Sequence, residues 1–357
     1  MYEETSKIPD SRTAHFSLAL ENRGFELLSE IGHGSFANVY LISSKKHQMR
    51  FVAKVIDLSR TNKSGLSDTF KSEIYSLTQL IHPNIISIFD HFIFEDCLFL
   101  ILEYCPGGTL NDYLKANGPI PKQTLYVLAY EMLLSLHFCQ KRGIAHRDIK
   151  PSNIFIDKYG RAKLADFGFA TMNEKICETY AGSLPFMPLE ILHLSPYDPM
   201  KADIWSLGIT FYLMATGTLP YLPKSANNLA MLIATREPFY SELIEKEFAV
   251  IIKSMLRSNP QDRASIDSIL ETPLFKKVRN EYKVDRNSKN PTLRRCRRGS
   301  GMTPINNMNI PKIASVGSVG SISFSSKKSM SPLMNKSRLR PSFLQTTFYE
   351  VPDSKIV

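Results

Sequence analysis

The residues whose types could do chemistry crowd into one stretch, from His146 to Gly168. It opens with His146-Arg147-Asp148-Ile149-Lys150-Pro151-Ser152-Asn153 and closes with Asp166-Phe167-Gly168. Asp148 is a carboxylate that can accept a hydroxyl proton, and Asn153 and Asp166 are hard oxygen ligands of the kind Mg²⁺ prefers. A base, a cation and two metal-binding oxygens suit phosphoryl transfer, where positioning and electrostatics supply most of the acceleration. Two mostly apolar runs, 154–156 and 162–165, flank the turn Asp157-Lys158-Tyr159-Gly160. The pattern predicts a hairpin with the polar loop at one end and the Asp166 carboxylate at the other.

Elements that must position these groups are visible on both sides. Upstream, Gly32-His33-Gly34-Ser35-Phe36-Ala37-Asn38-Val39 lies between two predicted strands, and the glycines let backbone N–H groups approach phosphates with no Cβ in the way. Phe51 to Ile56 is a strand with one lysine, Lys54, among apolar residues. A helix is predicted from about Ser67 to Leu80, with Ile74, Leu77 and Leu80 on one face and Glu73 on it. Leu98 to Glu103 is a strongly apolar strand followed by Tyr104-Cys105-Pro106-Gly107-Gly108. Thr124 to Gln140 has helical apolar spacing and leads into the 146–153 loop. Downstream come Ala181-Gly182-Ser183-Leu184-Pro185-Phe186-Met187-Pro188-Leu189-Glu190, Asp203-Ile204-Trp205-Ser206-Leu207-Gly208 and Arg263.

Together these motifs, in this order, resemble the eukaryotic protein kinases over residues 25 to 276. The chain is most similar to the calcium/calmodulin-dependent and energy-sensing (AMP-activated-like) serine/threonine kinase groups. The resemblance implies an α+β, bilobal protein kinase fold. It divides the chain into a lead-in (1–24) holding at most a helical turn near Phe16 to Leu20, a kinase domain (25–276) and a basic, Ser-rich, disordered tail (277–357). Within the domain it implies a small β-rich N-lobe (25–103), a hinge (104–108) and a larger helical C-lobe (109–276).

The same resemblance assigns roles. Ile31, Gly32, Gly34 and Val39 would hold ATP from above, and backbone at Glu103 and Cys105 would bond the adenine, so side-chain identity matters little there. Lys54 would sit on the phosphates, held by Glu73. Asn153 and Asp166 would bind Mg²⁺, Asp148 would take the acceptor proton, and Lys150 would offset charge on the transferred group. Arg147, Glu190, Asp203 and Arg263 would be structural: Glu190 paired with Arg263, Asp203 bracing the catalytic loop, Arg147 awaiting an anion. Thr179 is the best-placed activation-loop phosphosite, and Ser183 is expected to touch Asp148 and Lys150 instead.

The implied activity is transfer of the γ-phosphoryl group of ATP to protein hydroxyls. Lys150 marks the serine/threonine class, and Phe169 leans toward serine. The alternative is a pseudokinase scaffold that binds ATP or partners without transfer; its usual mark is loss of a lysine or aspartate that this chain keeps at Lys54, Asp148 and Asp166. Ala37 replaces the third loop glycine, a tolerable change in loop flexibility, and Leu189 replaces the usual proline before Glu190, where the retained Glu190–Arg263 pair should still anchor the segment. One departure matters: Thr109, Ser152 and Leu213 stand where arginine-selecting kinases carry acids, so only a weak preference for basic substrates is expected. An upstream activating kinase and protein substrates are the expected partners.

Composition sets the outer limits. Residues 1–276 carry 28 Lys+Arg and 30 Asp+Glu, while 277–357 carry 16 and 4, so the tail holds the whole excess behind the net charge of +10. A near-neutral globular part argues against specific nucleic-acid binding and for a basic appendage. In the tail, Arg294-Arg295-Cys296-Arg297-Arg298-Gly299-Ser300 is compatible with a phosphosite, a nuclear-import signal, a weak electrostatic membrane contact or simple solubilisation. The five cysteines (Cys97, Cys105, Cys139, Cys177, Cys296) show no zinc or disulfide spacing. With no signal-peptide pattern and no membrane-length apolar run, a cytoplasmic address is expected, the nucleus being the alternative.

Overall fold

Short strands rich in aromatic and aliphatic residues, followed by long apolar helices, fold into two lobes. The computed structural model describes residues 11–33, 37–58, 80–240 and 242–287. Gly34, Glu73 with its predicted helix, and the Arg294–Ser300 cluster lie outside them.

The first lobe is one antiparallel sheet in the order β1-β2-β3-β5-β4, from β1 (Phe25–His33), β2 (Ala37–Ser44), β3 (Met49–Asp57), β4 (Ile88–Phe94) and β5 (Cys97–Glu103). Side chains alternate across β3, which separates its two jobs. Phe51, Ala53 and Val55 pack with Tyr40, Ile42, Phe92, Phe99 and Ile101 on one face, and Ile56 packs with Ala37, Leu98 and Leu100 on the other. Lys54 shares the face of Ile56. It pairs with Val39 on β2 and Leu100 on β5, so Val39 and Lys54 lie side by side.

The lead-in is more than a helical turn. Residues Ser11–Glu21 form α1, which covers the first sheet face with Phe16, Ala19 and Leu20. Phe16 meets Tyr40 and Phe99 edge-on, with centroids 5.9 and 5.6 Å apart.

The second lobe is built on helices α2 (Leu110–Asn117), α3 (Lys122–Gln140), α4 (Leu189–Leu192), α5 (Pro199–Thr216), α6 (Ala226–Thr235), α7 (Lys246–Met255), α8 (Ile266–Leu270) and α9 (Pro273–Asn287). Helix α5 is apolar on nearly every face and runs through the core, as such helices must. Asp198 caps its start by accepting N–H bonds from Met200 and Lys201, with Pro199 at the first helical position. Two small ribbons, β6 (Ile144–Ala145) with β9 (Thr171–Met172) and β7 (Ile154–Ile156) with β8 (Ala162–Leu164), carry the loops of the cleft.

The lobes join at Gly107-Gly108. Gly107 N–H donates to the Ile156 carbonyl (3.0 Å) and Ile156 N–H to that of Gly108 (2.9 Å). A Cβ on Gly107 would lie 2.7 Å from the Ile156 oxygen, so only glycine permits this approach.

At the other end, the sequence pattern closes the domain at 276, but α9 continues to Asn287 with Val278 and Tyr282 buried against the core. With Leu274 and Phe275 in its first turn they form one apolar stripe, which docks an otherwise polar helix. Among the described residues no helix is long and apolar enough to cross a membrane.

Candidate active site

The loop after β6 is fixed from below by α5. Asp203, fully buried, accepts N–H bonds from His146 and Arg147, both 2.7 Å. Burial pushes its carboxyl up to about 7, against the pull of those two N–H groups and the Arg147 charge. Arg147 has φ +68, a conformation costly for a side chain with a Cβ; the paired N–H bonds to one carboxylate hold it there. His146 is also buried, and desolvation lowers its pKa. Its Nε2–H donates to the Ala165 carbonyl (2.9 Å) and its Nδ1 accepts from Asp148 N–H (3.2 Å), a bonding pattern that requires the neutral ring.

Asp148 stands at the centre. Asn153 Nδ2 donates to its Oδ2 (2.9 Å) and to its backbone carbonyl (2.8 Å). Ser183 Oγ donates to its Oδ1 (2.9 Å). Lys150 Nζ lies 2.8 Å from Oδ2 and also donates to Ser183 Oγ (2.7 Å). The expected contacts of Ser183 with Asp148 and Lys150 are therefore present. With Nδ2 of Asn153 committed to Asp148, its amide oxygen is the end left to meet a cation.

Across the cleft, Lys54 Nζ donates to Asp166 Oδ1 (2.8 Å), and both side chains are largely buried. Asp166 too has positive φ, +63, and Phe167 behind it packs edge-on against His146 at 4.7 Å. Glu73, the partner expected for Lys54, lies outside the described residues, as does Gly34. Ile31 is exposed at the end of β1, while Gly32 pairs with Val39 beside it.

At the hinge, Cys105 is buried, and burial first, then the Glu103 charge, pushes its thiol up to about 12. It is a neutral packing residue at physiological pH. Glu103 corrects the expectation that its side chain is idle. Its carboxylate is bonded by buried Lys163 Nζ (2.8 Å) and by Ser87 N–H (3.3 Å), and its own N–H is given to the Ser87 carbonyl (2.9 Å). The carboxylate so braces the hinge against β8, sixty residues away in sequence.

The segment between Gly168 and Glu190 is tied at three points. The Arg147 guanidinium donates to the Thr179 carbonyl (3.0 Å) and hydroxyl, to Tyr197 Oη (3.1 Å) and to the Phe169 carbonyl (3.5 Å). Tyr197 Oη donates in turn to the Thr179 carbonyl (3.1 Å). Gly182, at φ +110, lets the chain pass close to the Arg147 carbonyl, which a Cβ would meet at 2.9 Å. Arg263, its side chain fully buried, holds Glu190 with two bonds of 2.5 and 2.8 Å and lies over the Trp205 ring.

Tyr197 and Lys163 carried no motif signal, since each acts through a partner distant in sequence. Thr109 and Asp112 form a capping box at the start of α2: Thr109 Oγ1 and Asp112 Oδ2 are 2.6 Å apart. The nearest acid behind the hinge glycines is therefore already engaged.

A nucleotide with Mg²⁺ fits this donor set. One carboxylate and one amide oxygen suit a metal shared with phosphates, and a buried lysine facing the cleft suits the phosphates themselves.

Comparison with known proteins gives a matching result. The Protein kinase domain family profile matches residues 25–275. The chain is 31% identical over 258 residues to CBL-interacting serine/threonine-protein kinase 18 of Arabidopsis thaliana, covering 71% of this chain and 49% of that protein. It is 33% identical over 272 residues to serine/threonine-protein kinase cds1 of Schizosaccharomyces pombe, covering 71% and 59%. It is 30% identical over 279 residues to CBL-interacting serine/threonine-protein kinase 12 of Arabidopsis thaliana, covering 77% and 56%. The aligned part spans about half the length of these relatives.

Proposed function

Because this chain belongs to the protein kinase family, we propose that it moves the γ-phosphoryl group of ATP to serine, less often threonine, hydroxyls of proteins, in a state reached by phosphorylation of Thr179. The observation that carries the reading is the cluster of buried Asp148 and Asn153 with half-buried Lys150 and Ser183, set across the cleft from Lys54 and Asp166.

Ile31, Gly32, Gly34 and Val39 cover the nucleotide, and backbone at 103 and 105 orients its base. Lys54 leaves part of its bond with Asp166 to meet the α- and β-phosphates. Asp166 and Asn153 would hold Mg²⁺, which when bound neutralises charge on the phosphates. Asp148 accepts a hydrogen bond from the incoming serine and aims its oxygen at the γ-phosphorus. The oxygen–phosphorus bond forms, the bond from γ-phosphorus to the bridging oxygen breaks, ADP leaves with that electron pair, and the serine proton passes to Asp148. Lys150 offsets negative charge on the transferred group, and Ser183 keeps Lys150 and Asp148 in register.

Arg147 already reaches Thr179, so phosphate there would replace neutral hydrogen bonds with charge-assisted ones and fix the segment that seats the substrate. An upstream kinase would supply that phosphate. With Thr109, Ser152 and Leu213 uncharged, substrate choice should not depend strongly on arginine before the acceptor.

The direct test is transfer from radiolabelled ATP with Mg²⁺ to a degenerate Ser/Thr peptide library. Parent protein should label serine peptides with little arginine selection, and Asp148→Asn should not label them. Equal labelling by both proteins would overturn the assignment.

A further inference from the structure

The family match ends at residue 275, yet α9, which runs beyond it, is linked through Glu131 to the strand that leads to Asp166. The route is short and buried. Glu131, on α3 and 0% exposed, accepts an O–H bond from Tyr282 at Oε1 (3.0 Å) and the N–H of Ala162 at Oε2 (2.8 Å). Ala162 is the first residue of β8. Its carbonyl is held by Asn84 Nδ2 (3.0 Å), and the strand then runs to Leu164, whose N–H goes to the Asn84 carbonyl (2.9 Å). Ala165 N–H is given to the Asn153 carbonyl (2.9 Å), and Asp166 follows.

The far end of this strand is thus fixed by the catalytic loop, and the near end by a carboxylate whose other oxygen is on α9. The Tyr282 ring sits edge-on to Tyr130, with centroids 5.5 Å apart, so the hydroxyl is aimed by packing. A buried carboxylate that loses such a donor rearranges toward the donors it keeps, the Ala162 N–H among them.

We propose that Tyr282 is a positioning residue for phosphoryl transfer: acting through Glu131, it fixes the head of β8 and thereby the placement of Asp166. This rests on the reading of Asp166 as a holder of Mg²⁺. The consequence is that helix α9, and whatever displaces it, sets how much Mg²⁺ the enzyme needs.

The test uses the full chain with Tyr282→Phe, which keeps the ring contact with Tyr130 and removes only the hydroxyl. In a Mg²⁺ titration at saturating ATP, the half-saturating concentration should rise about tenfold, the low end of effects seen for outer-shell partners. kcat at saturating Mg²⁺ should stay within about twofold of the parent. Hydrogen exchange at the amides of 162–166 should quicken without Mg²⁺ or nucleotide present. Glu131→Gln, which keeps one acceptor and one donor, should lie between, and adding Tyr282→Phe to it should bring less than the sum of the two changes.

A thermal midpoint that falls in Tyr282→Phe with Mg²⁺ dependence and exchange at 162–166 unchanged would make the bond merely structural and overturn the proposal. Asp166→Asn run alongside separates the two readings. If it loses activity while Tyr282→Phe matches the parent, this proposal alone fails; if it keeps the parent's activity and Mg²⁺ dependence, the metal reading fails and takes this one with it.

Discussion

Asp148 and Asp166 each sit 2.8 Å from a lysine, yet they are held in different ways. The surroundings of Asp148 come from one lobe, from residues 146–153, Ser183 and the bracing Asp203. Lys54 and Asp166 are 112 residues apart and join the sheet of one lobe to the loop of the other. The end proposed to accept the proton is therefore built within one lobe. The end proposed to meet the phosphates is assembled only where the two lobes come together. A site so divided can be controlled at either half: through Thr179 and Arg147 beside Asp148, or through the placement of the sheet that carries Lys54.

That contrast can be broken by substitution. Asp148→Asn should lower kcat about 10³-fold, within the range for a general base, with nucleotide affinity unchanged. Lys54→Met should instead weaken nucleotide binding. Fluorescent-nucleotide titration of both variants checks the difference, and weakened binding by Asp148→Asn would show that the two ends are not independent. Next in size, Arg263→Ala leaves Glu190 buried without its partner and should cost about 3–5 kcal/mol of stability, read as a fall in Tm. Arg263→Lys should recover only part, because it cannot reproduce the two-pronged bond.

Thr179→Ala, purified from cells beside the parent, should lower activity severalfold or more without changing Tm; equal rates would remove Thr179 from the activation scheme.

The smallest effect concerns pH. His146 has a folded pKa lowered from its ordinary 6.5, so its contribution to stability is present above 6.5 and lost as pH falls below it. Asp203 has a folded pKa raised from 3.8 to about 7, so its contribution is full below 3.8 and lost as pH rises through 7. Below pH 6.5 the two slopes oppose each other. Replacing His146 with Gln leaves only the Asp203 slope, and Tm should then fall as pH rises from about 5 to 7, with a limit near 1.4 kcal/mol per pH unit. A Tm that instead rose over this range would reverse the assignment.

The chemistry was legible in sequence wherever it is local. His146 to Asn153 and Asp166 to Gly168 work at short spacing, so their residue types announce them, and the hairpin between them forms as its apolar runs predict. What escaped notice are groups that act through long-range partners: Lys163 on Glu103, Tyr197 on Arg147, Tyr282 on Glu131. Each is a common residue on a strand, loop or helix and acquires meaning only when folding brings a second element beside it. Helix α1 was legible only as a turn near Phe16 to Leu20, because its eleven residues carry one short apolar patch, whose extent is recognisable once the sheet face beneath it is known to be aromatic.

That aromatic face bears on handling the protein outside its full length. Tyr40, Ile42, Phe51, Phe92 and Phe99 are kept from water partly by Phe16, Ala19 and Leu20, which precede the matched family segment. A fragment trimmed to residues 25–275 would expose a continuous apolar patch on one lobe and discard the Val278 and Tyr282 contacts on the other. Such a fragment would be sticky and prone to precipitate, and it would also lack the Tyr282 bond to Glu131.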